Sequence, residues 1–167
     1  MWIALGIVFV LLVSLAYASL SGAPWVPTWK RDVERIAALL DLQKDEIFYE
    51  LGCGDGRVCL ALAKSSQARV TGIELSLIQW MVAQVRKYLS GSRARFSLGN
   101  VFSKDLSDAD AVYLFLMPET YKKIAPKLLA QLRPGARVVS YVWPVPGLQI
   151  EKVDEEEGRP KLYVHRR

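Results

Sequence analysis

Three glycines occupy alternate positions in the segment ELGCGDGR, at Gly52, Gly54 and Gly56, directly after the apolar run of residues 46–51. Glycine is tolerated at this density where the backbone must turn tightly or lie against a ligand with no side chain between them. A strand, a glycine loop and a helix in this order form the ligand-binding edge of open α/β sheets. The segment therefore predicts a binding loop, and the alternative is a glycine-rich turn without a ligand.

The residues around the loop indicate the kind of ligand. The spacing G-x-G-x-G, with Arg57 in the place of the last glycine, departs from the dinucleotide fingerprint, and the Lys-Ser/Thr pair of a Walker A loop is missing. Glu50 and Asp55 would repel a pyrophosphate and favour a cation. Glu74 ends the second predicted strand, where a carboxylate accepts hydrogen bonds from ribose; the alternative is an ordinary exposed carboxylate. These residues predict S-adenosylmethionine, a nucleoside without phosphate that carries a sulfonium.

Strands and helices alternate along the chain behind this loop. Strand-like runs occupy residues 46–51, 68–75, 94–99, 110–117 and 136–143, and helical stretches occupy 57–65, 77–89 and 119–132. Near-continuous apolar strands are typical of a parallel sheet covered on both faces. Pro126 predicts a kink or a restart in the last helix. The tail from residue 148 has room only for two strands around a Glu-Gly-Arg-Pro turn. We predict an α/β, Rossmann-like doubly wound sheet of five parallel strands plus a C-terminal antiparallel hairpin.

The N-terminal segment predicts a membrane anchor. Residues 2–29 contain no charged side chain, and residues 2–20 are almost entirely apolar, which as a helix reaches about 28 Å, close to the bilayer core. The alternative is a signal peptide cleaved near Ala16–Ala18, but the basic leading region is missing. Basic residues follow the span and none precedes it, so the body is expected to face the cytoplasm. The predicted organisation is an anchor at 1–21, a linker at 22–30 and a domain at 31–167.

Composition excludes several classes of site. Two cysteines, Cys53 and Cys59, are too few for a disulfide framework or a zinc site, and the single His165 excludes a triad or a multi-histidine metal centre. No metal is expected. The net charge of +5 comes from basic residues that look scattered along the body, which favours a surface near anionic lipid over a nucleic-acid site.

From about residue 24 to the C-terminus the chain resembles the class I (seven-β-strand) S-adenosylmethionine-dependent methyltransferases. The resemblance rests on ELGCGDGR, VTGIEL, SLGNVF and LRPGARVVSYVW. An apolar segment followed by PWVPT resembles, more narrowly, the small membrane-anchored protein-lysine N-methyltransferases, some of which modify other membrane proteins; Trp29 stands where those often have proline. The resemblance implies S-adenosylmethionine as cofactor and a protein substrate.

Carried onto this sequence, the resemblance implies a role for each motif residue. Glu74 would bind the ribose, with Leu75 beside the adenine. Asn100 and Val101 would meet the edge and face of the adenine, although many relatives have Asp at Asn100, and the alternative for Asn100 is a simple turn. The loop that would hold the methionine part consists of Glu50, Gly52, Cys53, Gly54, Asp55 and Gly56.

The acceptor side is less defined. The fourth predicted strand ends in Leu116-Met117-Pro118, where methyltransferases of nucleobases or glutamine carry Asn/Asp-Pro-Pro-aromatic, so no nucleic-acid substrate is expected. The candidates for the acceptor channel are Trp25, Thr28, Trp29, Glu119, Tyr141 and Trp143. The alternative roles are an interfacial aromatic belt for the first two tryptophans, a helix cap for the threonine, a helix N-terminal acid for the glutamate, and plain core for the last two aromatic residues.

We therefore predict a single-pass membrane enzyme that methylates the side-chain amine of lysine in a protein, with other membrane proteins among the candidate substrates. Methyl transfer from a sulfonium needs positioning and desolvation and no covalent nucleophile. Two alternatives stay open at this point. One is a methyltransferase for a small-molecule or lipid acceptor, and the other is an anchored nucleoside-binding domain without catalysis.

Overall fold

The structure of the chain, a computed structural model, describes residues 1, 2, 5, 6, 9, 12–14 and 26–167. Residues 26–167 contain four helices and seven strands. In chain order these are α1 (Lys30–Leu40), β1 (Ile47–Leu51), α2 (Arg57–Ser65), β2 (Arg69–Glu74), α3 (Leu77–Ser90), β3 (Arg95–Leu98), β4 (Ala111–Leu114), α4 (Pro118–Gln131), β5 (Arg137–Tyr141), β6 (Gln149–Asp154) and β7 (Leu162–Arg166).

The strands form one mixed sheet in the order β3-β2-β1-β4-β5-β7-β6. The first five strands pair in parallel, and β7 pairs antiparallel with both β5 and β6. The prediction of five parallel strands followed by an antiparallel hairpin is confirmed. The strand order reverses between β1 and β4, which is the switch point where open α/β sheets bind ligands.

Buried apolar side chains lie on both faces of the sheet. Ile36 of α1, Leu62 of α2 and Ala83 of α3 pack with one face, whereas Tyr121 and Leu128 of α4 pack with the other. The apolar faces of these helices therefore explain the near-continuous apolar strands, and the doubly wound arrangement is confirmed.

Two strand ends and one helix differ from the sequence expectation. The fourth strand was expected to reach residue 117 but ends at Leu114, and residues 115–117 lead the chain from the sheet to Pro118, which opens α4. The fifth ends at Tyr141 rather than residue 143, since Val142 turns the chain with φ +73°. Helix α4 continues through Pro126 as one helix, so of the expected kink or restart only the kink stays a prediction.

Helix α1 is fastened to the opposite end of the chain by a buried polar cluster. Asp32 is fully buried, and its Oδ2 accepts a hydrogen bond from the Tyr141 hydroxyl at 2.6 Å. Arg35 bridges Asp32 and Asp154, with Nη1–Oδ1 and Nη2–Oδ2 distances of 2.9 and 2.5 Å. Each charge of the cluster has a partner, which a buried charge requires. The cluster fixes the start of the domain against the sheet.

The expected anchor at residues 1–21 and linker at 22–30 lie for the most part outside the described residues. Among the positions that are described, no helix is both long enough and apolar enough to cross a membrane.

Candidate functional site

The glycine loop follows β1 at the switch point of the sheet. Gly52, Gly54 and Gly56 have φ values of +81°, +53° and +75°, in the left-handed region that side chains with a Cβ rarely adopt. A Cβ at Gly52 would also lie 2.9 Å from Leu116 Cδ2. The main-chain N–H groups of Gly52 and Cys53 both donate to the carbonyl of Ile73, at 2.9 and 3.0 Å. The loop is therefore built of bare backbone tied to β2.

Glu74 ends β2 and is itself a partner of the loop. Its Oε2 accepts a hydrogen bond from the Gly54 N–H at 2.8 Å, and its Oε1 accepts one from the Ser76 N–H at 2.7 Å. Burial raises the pKa of this carboxyl, and the backbone hydrogen bonds oppose the rise. A carboxylate has about four acceptor positions, so these hydrogen bonds do not use all of them.

Glu50 is almost completely buried beneath the loop. Its Oε2 accepts hydrogen bonds from the Cys59 N–H at 3.1 Å and from the Cys59 thiol at 2.9 Å. Burial raises the pKa of Glu50 to about 8. Glu50 is therefore mostly protonated at neutral pH, and it is an acceptor and potential hydrogen-bond donor rather than a full negative charge.

Asp55 is held by two arginines. Arg57 donates to both carboxylate oxygens, with distances of 3.0 Å to Oδ1 and 2.7 Å to Oδ2, and Arg86 also contacts Oδ2. Burial alone would raise the pKa of Asp55, but the hydrogen bonds and charges of the arginines outweigh it and lower the pKa. Arg57 and Arg86 therefore offset the negative charge that the sequence argument assigned to Asp55, and burial disfavours the charged form of Glu50. The attraction of these acids for a cation stays a prediction.

Cys53 packs the loop against β2. A Cβ at Gly72 would lie 2.6 Å from the Cys53 sulfur and 3.0 Å from the Cys59 sulfur, so only glycine fits there without displacement. Both cysteines are buried and unbridged, and burial raises the pKa of each thiol well above its ordinary range. They act as apolar packing groups beneath the loop.

Residues 26–28 form a wall in front of the loop. Arg57 Nη1 donates to the Thr28 carbonyl at 2.9 Å, and Thr28 Oγ1 lies 3.2 Å from the hydroxyl of the buried Tyr113. Between this wall and the loop is a cavity of about 30 Å³, also lined by Phe115. That volume holds about one water molecule. Residues 26–28 therefore lie close against the glycine loop in this structure.

The predicted adenine side lies at the ends of β2 and β3. Leu75 and Val101 are partly buried, and Val101 packs beside the core under α4. The Asn100 Oδ1 accepts a hydrogen bond from the Phe102 N–H at 2.9 Å, which closes a turn. The turn alternative for Asn100 is thus present in the structure, and its side-chain NH₂ group is the part not used by this bond.

The candidates on the acceptor side separate into different environments. Thr28 lies in the wall of the cavity, whereas Tyr141 is buried with its hydroxyl bonded to Asp32, which agrees with the core alternative. Trp29 is 49% exposed with the Arg31 guanidinium 4.0 Å from its ring centre, and Glu119 is exposed in the first turn of α4. Trp25 lies outside the described residues.

Trp143 sits just after the end of β5 and is held on two sides. Its carbonyl accepts a hydrogen bond from Ser140 Oγ at 2.8 Å, and its ring meets Tyr121 edge to face at 6.4 Å. The Tyr121 hydroxyl donates to the carbonyls of Leu114 and Tyr141, at 2.9 and 3.2 Å. One tyrosine thus fixes the ends of β4 and β5 and supports the partly exposed tryptophan.

Sequence reasoning missed several residues of the site. Phe115 lines the cavity and meets Tyr141 edge to face at 4.7 Å; its place near the carboxyl end of the predicted fourth strand was the available signal. The roles of Arg57 and Arg86 in pairing with Asp55 were also missed. Arg86 lies 31 positions from Asp55, so only the packing of α3 beside the loop reveals that pair.

The strand order, the glycine loop after β1 and the carboxylate at the end of β2 define a class I S-adenosylmethionine-dependent methyltransferase. A solved structure described as an RNA methyltransferase from Salinibacter ruber in complex with S-adenosyl-L-homocysteine shares this fold. Its TM-score is 0.80 and its identity 32%, over 84% of this chain and 93% of that one. S-adenosylmethionine is the cofactor of this class.

The sequence profile of the ANTKMT methyltransferase domain matches residues 50–152, and the chain belongs to this family. A protein-lysine N-methyltransferase of Saccharolobus islandicus (strain REY15A) is 34% identical over 85% of this chain and 92% of that protein. An adenine nucleotide translocase lysine N-methyltransferase of Mus musculus is 32% identical over 85% of this chain. The match spans only 62% of the mouse protein.

Proposed function

We propose that this chain transfers the methyl group of S-adenosylmethionine to the side-chain amine of a lysine in a protein. The observation that carries the proposal is the match to the Saccharolobus islandicus protein named for this activity, which covers 85% of this chain and 92% of that protein. The mouse relative named for adenine nucleotide translocase and a Rattus norvegicus relative named for lysine methylation of ATP synthase support a protein acceptor. The rat match is 29% identical over 74% of this chain but spans only 57% of the rat protein.

The residues at the switch point fit the cofactor. Glu74 retains acceptor positions for the two ribose hydroxyls, and the backbone of Gly52–Gly56 allows close approach without side chains. Leu75 and Val101 provide apolar contact for the adenine, and the Asn100 NH₂ group is available to a ring nitrogen. When bound, the cofactor supplies a methyl group on a sulfonium. The proposed cofactor residues are Glu50, Gly52, Cys53, Gly54, Asp55, Gly56, Glu74, Leu75, Asn100 and Val101.

The acceptor lysine must be neutral to react, which costs about 4–5 kcal/mol at pH 7 for an ordinary lysine. An apolar channel lowers that cost because it disfavours the ammonium form. Phe115 and Thr28 line the cavity, and the partly exposed Trp143 follows the neighbouring strand. We assign the channel to these three residues, with the exposed Glu119 attracting the lysine cation at the mouth. Water then takes the proton, and the protein supplies position and desolvation.

We further propose that residues 1–21 anchor the enzyme in a membrane, with residues 22–30 as linker and the domain from 31 facing the cytoplasm. Support comes from the absence of charge in residues 2–29 and from the basic residues Lys30, Arg31 and Arg35 that follow. The anchor would hold the enzyme near lysines of other membrane proteins.

The test is methyl transfer from labelled S-adenosylmethionine to membranes of the source cell by the full chain, with mass spectrometry of the labelled material. Label on lysine of a protein supports the proposal. Label in lipids or small amines favours the alternative acceptor, and cofactor binding without any transfer indicates the non-catalytic alternative. The matched variants are Phe115→Ala, which should reduce transfer while the cofactor still binds, and Tyr163→Ala on the hairpin, which should not.

A further inference from the structure

Basic charge is concentrated in one continuous part of the chain. Residues 56–104 contain eight lysines and arginines but a single acid, Glu74, which is buried. Since the whole chain has 22 basic and 17 acidic residues, the remainder is slightly acidic. The basic residues are thus not scattered as the sequence first suggested.

The fold turns this sequence bias into a division across the sheet. Residues 56–104 form α2, β2, α3 and β3, and β3 is one edge of the sheet. The other edge is β6, beside the acidic turn that contains Glu155–Glu157. The edge strand β3 therefore lies in the basic part of the molecule. The hairpin of residues 148–167 at the other edge carries five acids and five lysines or arginines, so it has no net charge.

Helix α3 also exposes an apolar stripe along the basic edge. Gln79 and Ala83 are its buried positions, on the side that faces the sheet. Its outward side carries large apolar residues at the spacing i, i+1, i+4, i+7, i+8, which places them in one row. Tyr88 and Leu89 are 86% and 76% exposed. The row consists of Met81, Val82, Val85, Tyr88 and Leu89.

Cations border this row. Lys87 lies within the same helix, and Arg95 is exposed on the neighbouring edge strand. A groove of about 720 Å³ between α2 and α3 is lined by Lys64, Arg86 and Arg93, with Leu89 forming part of its wall. We call the apolar row together with Lys64, Lys87, Arg93 and Arg95 the α3 surface.

We propose that the α3 surface docks on the surface of an anionic lipid bilayer. Exposed aliphatic and aromatic side chains that are flanked by lysine and arginine, without acids, form the pattern of helices that lie in the interface of anionic membranes. A nucleic acid would account for the cations but gives Met81, Val82, Val85 and Leu89 nothing to bury against. The hairpin edge carries no net charge, so anionic lipid attracts the α3 surface more strongly than that edge.

With the α3 surface on the bilayer, the binding cleft at the carboxyl ends of the strands would face along the plane of the membrane. Helix α3 begins beside Glu74, at the edge of the sheet that carries the glycine loop. The Leu77 N–H donates to Ser14 Oγ at 2.9 Å. Ser14 lies within the proposed anchor, so this contact is given up when residues 1–21 enter a membrane. The proposal adds a second membrane contact to the anchor and does not depend on which acceptor is methylated.

The direct test places an environment-sensitive fluorophore on the full chain at Tyr88→Cys, with Glu155→Cys on the acidic turn as the matched control. The native cysteines are buried and do not compete for the label. In vesicles of phosphatidylcholine mixed with phosphatidylglycerol, the label at 88 should brighten several-fold and be quenched by lipids with brominated chains. The label at 155 should do neither. Equal responses at both positions, or none at 88, would overturn the proposal.

Charge reversal separates lipid docking from other causes. Lys87→Glu with Arg95→Glu should abolish most of the response at position 88, whereas Lys152→Glu on the hairpin should leave it intact. The double variant, the Lys152→Glu variant and the unmodified protein should bind the cofactor with the same affinity, which shows that the fold is preserved. If double-stranded RNA competes with vesicles and binds more tightly than they do, the surface is a nucleic-acid site and the proposal fails.

The anchor and the α3 surface can fail separately. Flotation with vesicles of pure phosphatidylcholine tests only the anchor, because those vesicles carry no net charge. A chain that floats with them but shows no response at 88 in anionic vesicles contradicts the α3 surface alone. A chain that does not float, but responds at 88 when anionic vesicles are added, contradicts the anchor alone.

Discussion

The carboxylate of Glu74 accepts a hydrogen bond from the Gly54 N–H at 2.8 Å, so the end of β2 holds the tip of the glycine loop. The same carboxylate accepts from the Ser76 N–H and thereby also fixes the start of α3. One buried side chain thus joins the two pieces of backbone between which a nucleoside would lie. The sequence did not predict this structural role, and the proposed ribose contact of Glu74 comes in addition to it.

Replacing Glu74 by alanine should weaken both cofactor binding and the fold. We expect a loss of about 1–3 kcal/mol in the binding free energy of S-adenosylmethionine, because charged hydrogen bonds to the ribose are removed. The melting temperature should also fall, since two backbone N–H groups lose their acceptor. Calorimetric titration below the melting temperature of the variant measures the first effect. Glu157→Ala is the control, and unchanged affinity in Glu74→Ala would refute the ribose assignment.

The buried Glu50 should make the stability of the domain depend on pH. Its pKa is raised from 4.5 to about 8, so the folded state keeps a proton that the unfolded chain releases above about pH 4.5. The free energy of unfolding should therefore fall as the pH rises from about 4.5 to about 8, by up to about 1.4 kcal/mol per pH unit from this group. Above that window its contribution is constant.

Glu50→Gln tests this prediction, because glutamine keeps an acceptor for the Cys59 N–H but does not titrate. Denaturant unfolding at a series of pH values should show a flatter slope in the variant across that window. Glu46→Gln, at a carboxylate bonded to Arg137, controls for the loss of one acid elsewhere. Parallel pH profiles of Glu50→Gln and the unmodified protein would show that Glu50 is ionised in the folded state.

Much of the fold could be predicted from the sequence because its signals are local. The apolar runs, the glycine loop and the turn in the tail each occupy a few adjacent residues, and short crossovers leave few ways to connect them. The end of β4 was misplaced because Phe115 and Leu116 continue the apolar run while Pro118 already dictates the helix. Because this chain segment is apolar on both sides of the strand end, hydrophobicity alone does not mark where β4 ends.

The charge state of the site was beyond sequence reasoning for a different reason. Glu50 and Asp55 are both simply acids in the sequence. In the structure, burial disfavours the charged form of Glu50, whereas Arg57 and Arg86 balance the charge of Asp55. Those environments depend on residues that are distant in the chain. Similarly, Tyr141 looks like a channel residue until its hydroxyl is found on Asp32, 109 positions away.

Gly72 should tolerate no larger side chain, because Cys53 and Cys59 pack directly over it. Gly72→Ala would place a methyl group 2.6 Å from the Cys53 sulfur, and overpacking of this kind costs about 1–3 kcal/mol. Gly99→Ala is a matched control, since a Cβ there meets nothing within 4 Å and neither glycine requires a positive φ. Denaturant unfolding should show a clear loss for Gly72→Ala and a change within about 0.5 kcal/mol for Gly99→Ala. Equal stability of the two variants would mean that the cysteines can shift freely.

Arg57 should control how fast the cofactor enters and leaves. It joins Asp55 of the loop to the carbonyl of Thr28 in the wall, and that wall lies close against the loop across a cavity of about 30 Å³. Lysine cannot make these bonds at once, since it lacks the planar fork of donors. Arg57→Lys should therefore speed the release of S-adenosylhomocysteine several-fold in stopped-flow measurements.

Arg137→Lys provides the matched control for this last prediction. Arg137 also pairs with a carboxylate, that of Glu46, and both side chains are about as shielded as those of Arg57 and Asp55. However, the pair lies at the amino ends of β1 and β5, away from the glycine loop. If both variants release the product faster by the same factor, general loosening of the fold is responsible. Faster release in Arg57→Lys alone identifies residues 26–28 as the part of the molecule that opens the cleft.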